Sequence, residues 1–123
     1  MWKLFVILGA LNAALAVGFG AFGAHGLEGK LSDRLMDVYQ TGVQYHIMHA
    51  LGLLVIGLTA AYAGGSTSLS WAGWLLFGGI VIFSGSLYTM AFTGISWLGA
   101  ITPIGGTAFI AGWIMLIIAV VKI

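Results

Sequence analysis

A chain of 123 residues that is 61% hydrophobic and only 6% charged lies far outside the composition of a water-soluble globular protein. Its net charge of +1 leaves no basic face to neutralise nucleic-acid phosphates, and with no cysteine there are no disulfides, iron–sulfur clusters or thiolate zinc sites. Five of the seven charged side chains, Glu28, Lys30, Asp33, Arg34 and Asp37, fall within ten positions, so the rest of the chain forms long apolar runs.

A bilayer core takes about 20 apolar residues per helix. The first such run, Leu4–Ala24, imitates a secretory signal, with Lys3 ahead of it and small residues at Gly23 and Ala24. It is too long for a signal's apolar region and reads as the first membrane helix. Small residues recur every fourth position in it, as Ala10, Ala14 and Gly18 and again as Ala16, Gly20 and Ala24; such stripes let helix backbones approach closely in lipid, within the bundle or between protomers. Asn12 is its one strongly polar side chain, suited to a hydrogen bond with a neighbouring helix. The match of Gly18-Phe-Gly-Ala-Phe-Gly23 to a dinucleotide fingerprint fails, because no strand precedes it.

Between the first and second runs, Leu31, Leu35, Val38 and Tyr39 recur at helical spacing opposite Lys30, Asp33, Arg34 and Asp37. Leu27–Thr41 is therefore an amphipathic segment lying on the interface and running into the second helix, with Ser32 as an N-cap. The second run, Gly42–Ala63, opens with Tyr45, His46 and His49. A Gly/Ser linker leads to the third, Trp71–Thr93, which carries Ser84, Ser86 and Tyr88 near its end. The fourth covers 102–121, with Thr102 as N-cap, Pro103 at the first helical position, and Gly105 and Gly106 free to meet a neighbour. The expected fold is an all-α membrane protein: a single domain, 1–123, of four transmembrane helices in an up-down bundle.

Aromatic residues fit that topology, with Trp2, Tyr62, Trp71 and Trp74 near one interface and Tyr39, Tyr45, Tyr88 and Trp97 near the other. The positive-inside count is tied, Lys3 and Lys122 against Lys30 and Arg34.

Threading the four runs brings His25, Tyr45, His46, His49, Ser84, Tyr88 and Thr102 toward one face of the membrane. His49 lies roughly 10 Å below the start of the second run, with His46 about 60° around the axis on a shared face. Neutral imidazoles bonded to Ser84, Tyr88 or backbone carbonyls would fix how the helices dock. Three other uses compete with docking. His25, His46 and His49 with Glu28 form a candidate metal set; His25 and His49 could be axial haem ligands; and His and Tyr could line an ion path, although no carboxylate lies inside any run. No nucleophile–base–acid set is present.

At Gly20-Ala-Phe-Gly-Ala-His-Gly-Leu27, Thr41–Leu51, Ser84-Gly-Ser-Leu-Tyr88 and Ile101-Thr-Pro-Ile-Gly-Gly106 the chain resembles the domain-of-unknown-function 423 family, small four-helix inner-membrane proteins of the YgdD and YwdK type. The order and spacing of these motifs agree over nearly the whole chain. The resemblance implies a four-helix membrane fold with both termini in the cytoplasm, and no established reaction. It carries His25, Tyr45, His49, Ser84, Gly85, Tyr88, Thr102, Pro103, Gly105 and Gly106 over to family positions, and it makes His25 with His49 the more interesting pair. The reading is thus a multi-pass cell-membrane protein, not an enzyme and without a cofactor. Its expected partners are the lipid bilayer and a homo-oligomer or another membrane protein. It serves as a structural or accessory component; the alternatives are a small-solute or ion channel or carrier, or a haem/metal module.

Overall fold

The computed structural model describes residues 1–123, and its regular structure is helical throughout. The helices are α1 (Trp2–His25), α2 (Asp33–Ala63), α3 (Thr67–Gly79), α4 (Gly85–Thr93) and α5 (Thr102–Val121); a π-helical turn, Ile80–Ser84, joins α3 to α4, and a 3₁₀ turn, Ser96–Ala100, precedes α5. Four stretches are long and apolar enough to cross a membrane: Trp2–His25, Asp33–Ala63, Thr67–Thr93 and Ser96–Val121.

Ser32 caps α2 as its side chain suggests, its Oγ accepting the Leu35 N–H at 3.2 Å. The charged segment runs into the second helix, as expected. From Asp33 it forms the first turns of α2 itself, because Leu35, Val38 and Tyr39 continue the helical period of the apolar run without a breaker. At 1.5 Å per residue the 31 residues of α2 extend roughly 46 Å, well beyond a hydrocarbon core of ~30 Å, so its charged start stands in the interface.

Thr102 is not the cap of α5. Ile101 occupies that position with helical torsions (φ −83°, ψ −32°), since the 3₁₀ turn already winds the chain into the helix, and Thr102 and Pro103 fall in the first turn. Without the extended backbone of an N-cap, the Thr102 hydroxyl turns to Ser86 instead.

α2 is the centre of the bundle, packing on α1 along one side and on α3, the π turn and α4 along others, while α5 lies against α3 and the π turn. Glycines set these approaches. A Cβ at Gly57 would stand 2.9 Å from the Val6 nitrogen and 3.0 Å from the Trp2 carbonyl oxygen. One at Gly9 would meet Ala50 O at 2.9 Å, and one at Gly105 would collide with the backbone of Phe83 in the π turn. The stripe of Ala10, Ala14 and Gly18 is exposed, one residue and so about 100° away from Gly9, which makes the contact. Of the second stripe, Ala16 is buried, Gly20 touches Val43 and Ala24 is exposed. Gly106, unlike Gly105, meets only the Phe83 ring, at 3.8 Å.

Both termini gather at the α2–α3 connection, where Met1 lies against Gly65, and Lys122 and Ile123 share a cleft with Ala63–Ser66. The charged loop and the 3₁₀ turn form the opposite end. Trp2, Tyr62, Trp71, Trp74 and Trp97 are exposed, as membrane-interface aromatics would be, but Tyr39 and Tyr88 are buried. Each of those two turns inward because its hydroxyl has a partner inside the bundle.

Candidate functional site

The two buried histidines of α2 anchor two separate polar sets, one on each side of the helix. The first joins three helices. His46 Nε2 lies 3.0 Å from Asn12 Oδ1 on α1, and His46 Nδ1 lies 2.9 Å from the Tyr88 hydroxyl on α4. Asn12 Nδ2 donates to Leu8 O at 2.8 Å, which leaves Oδ1 facing the imidazole as an acceptor. A neutral His46 ring then satisfies everything in one direction: Tyr88 O–H donates to Nδ1, and Nε2–H donates to Asn12 Oδ1. Phe19 stacks on Tyr88 with ring centroids 4.4 Å apart, and Tyr39 donates to Phe19 O, so aromatic faces seal the set from lipid. Beside it, Ser84 in the π turn donates to Gly42 O at 2.8 Å.

The second set lies between α2 and α5. Trp113 Nε1 donates to His49 Nε2 at 3.0 Å, and His49 Nδ1 lies 2.8 Å from Tyr45 O, one turn back on its own helix. An indole N–H can only donate and a carbonyl can only accept, so these partners select the neutral His49 tautomer with its proton on Nδ1. The ring stacks on Phe109, centroids 3.5 Å apart and 10° from parallel. His46 and His49 therefore do not address one neighbour. The 60° between them is enough to send His46 toward α1 and α4 and His49 toward α5.

Ser86 and Thr102 pair at 2.6 Å, tying α4 to the start of α5. Tyr45 lies at the surface of the groove between α2 and α5, while His25 is exposed at the end of α1, and neither joins the His46 set. No three His or acidic side chains converge as metal ligands would. More directly, all four ring nitrogens of His46 and His49 are engaged by protein groups, so ligation of a metal or haem by either ring would require breaking one of these hydrogen bonds.

Two partners were not anticipated. Asn12 and His46 each lie seventeen residues from Gly29, so a symmetric α1–α2 hairpin folded at that glycine would have paired them. Trp113 is the one tryptophan far from both interfaces, and a mid-membrane indole needs an acceptor.

A family model described as "Protein of unknown function (DUF423)" matches residues 19–106, a stretch that includes His46, His49, Tyr88 and Thr102. The chain is similar to the UPF0382 membrane protein YwdK of Bacillus subtilis (strain 168), 62% identical over 120 residues covering 98% of each chain. It is also similar to a UPF0382 membrane protein of Staphylococcus epidermidis (strain RP62A), 62% identical over 120 residues, 98% of this chain and 97% of that one. A further relative, from Staphylococcus aureus (strain USA300), is 59% identical over the same length and shares. No solved structure matches.

Proposed function

The chain belongs to the DUF423 family of membrane proteins, and on that premise we propose that it is a structural component of the membrane whose buried polar side chains lock helices together. In this reading it carries no reaction of its own, and His46 and His49 neither ligate a metal nor relay protons. The observation that supports it is closure: no buried side-chain nitrogen or oxygen lacks a hydrogen-bond partner, and the partners of both histidines lie on other helices or on the α2 backbone. A conducting path or a ligand site would keep at least one polar group free for its cargo.

The test is a double-mutant cycle of His46→Phe and Tyr88→Phe, read by reversible unfolding in mixed micelles. Each single variant leaves a polar group unpaired in an apolar setting, at about 1–2 kcal/mol, and the coupling energy is expected at about 0.6–1.7 kcal/mol. Coupling indistinguishable from zero would sink the proposal. So would a Soret band or stoichiometric metal on gently solubilised protein that disappears in His49→Ala.

A further inference from the structure

Between α2 and α5 runs an open groove of about 490 Å³, outside the polar sets but walled by the outer edge of the second: Tyr45, His49, Phe83, Pro103, Phe109 and Trp113 line it. Along α5 it extends from Pro103 to Trp113, ten residues and so roughly 15 Å, which is half of a ~30 Å hydrocarbon core. Its inner end is blocked. A Cβ at Gly52 would already meet the Trp113 ring at 3.0 Å, so that side chain fills the space between α5 and α2 there. Its outer end opens toward the charged end of the bundle.

Arg34 stands above that opening. It precedes Tyr45 by eleven residues on α2, which places it about 20° around the axis from Tyr45 and roughly 16 Å farther out. Its Nη2 donates to Ser96 Oγ at 3.3 Å, in the 3₁₀ turn that leads into α5, so the guanidinium links the charged start of α2 to the chain entering α5. A guanidinium has five N–H donors, and this bond uses one. Asp37 lies one turn away, yet the hydrogen bond goes to Ser96.

The geometry points to a bound anionic phospholipid, its phosphate on Arg34 and one acyl chain in the groove across the stacked rings of His49 and Phe109. The shape selects this occupant. A partner's transmembrane helix needs about 20 residues and both leaflets, whereas the Trp113 side chain stands between this groove and a second α2–α5 cleft lined by Val55, Leu58, Tyr62 and Val120, so a straight helix would have to ride over it while an acyl chain fits on one side. A soluble ligand would meet apolar walls facing lipid rather than water. The charge selects the headgroup, because the groove supplies apolar contact to any acyl chain while Arg34 favours a phosphate that carries net negative charge.

The experiment uses the full chain in neutral detergent with phosphatidylglycerol or phosphatidylcholine of matched acyl chains, and reads retained lipid by native mass spectrometry. Retention of phosphatidylglycerol is expected to exceed that of phosphatidylcholine about fivefold, the preference to vanish in Arg34→Gln, and retention of both to fall in Gly106→Leu, which fills the groove. A side chain at Gly106 starts with only ordinary contact to Phe83, and Ile110→Trp, at an exposed lining position, gives a second block should the first misfold. Equal retention of the two lipids by the parent chain, or undiminished retention in a correctly folded blocked variant, would overturn the assignment.

Discussion

At the end of the bundle that holds the termini, the helices meet through Phe5, Leu53, Ile56, Leu69 and Leu76, all buried and none with a polar side-chain atom, whereas toward the charged end they meet through Asn12, His46, Ser84 and Tyr88. In water the first region would count as the stable core and the second as a liability. In lipid that order weakens, because acyl chains solvate Leu and Ile as well as a neighbouring helix does. The apolar end must therefore rely on shape, and it does so by bringing α1 against α2 at Gly57 and Gly9 until backbone meets backbone. The polar end relies on direction. Shape complementarity tolerates small rotations of a helix, while a bond from His46 to Asn12 on one side and Tyr88 on the other fixes both rotation and register.

The comparison can be broken hardest at the apolar end. Gly57→Leu puts a side chain where Val6 N, Val6 Cγ2 and the Trp2 carbonyl already stand, and those backbone atoms cannot yield without moving α1. A loss of about 3 kcal/mol or more is expected in micellar unfolding. A loss under ~1 kcal/mol would show that α1 adjusts freely and that shape is not what holds this end.

Asn12→Leu tests the polar end. It leaves His46 Nε2–H facing a hydrocarbon side chain, and about 1–2 kcal/mol should be lost, with the Tyr88–His46 bond retained. Because the polar groups of a membrane protein find other partners when unfolded, this should fall below the glycine effect. The reverse ranking would make hydrogen bonding the dominant restraint at both ends. The smallest effect belongs to His25→Ala. That side chain is exposed and outside both polar sets, so stability should stay within about 0.5 kcal/mol, and a loss above ~1 kcal/mol would reveal a partner for His25.

Much of the site was legible one residue at a time and little of it as pairs. His46, His49, Tyr88 and Ser84 stand out in an apolar sequence because polar groups are costly in lipid and need partners. Their partners were harder to read. Asn12 was visible as a polar residue, yet it joined His46 only through the α1–α2 hairpin, and Trp113, an indole inside an apolar run, was not read as a polar group at all. His25, prominent in its motif, ends exposed. The π turn has no sequence mark beyond Ser84-Gly-Ser86; it lies where Gly105 of α5 packs onto the backbone of Phe83.

What the sequence determines by itself is the class of molecule, the four crossings, their order and the capped start of α2. These follow from run length against bilayer thickness, the cost of charge in hydrocarbon, and local capping chemistry, all of which are properties of a line of residues. Only the tertiary structure decides which way each helix faces, and with it the split of His46 from His49, the inward turn of Tyr39 and Tyr88, and the groove between α2 and α5. The reason is that a membrane helix is apolar nearly all round, so its periodicity does not point to a core, and rotation is settled by where glycines let backbones meet and where the few polar groups find each other.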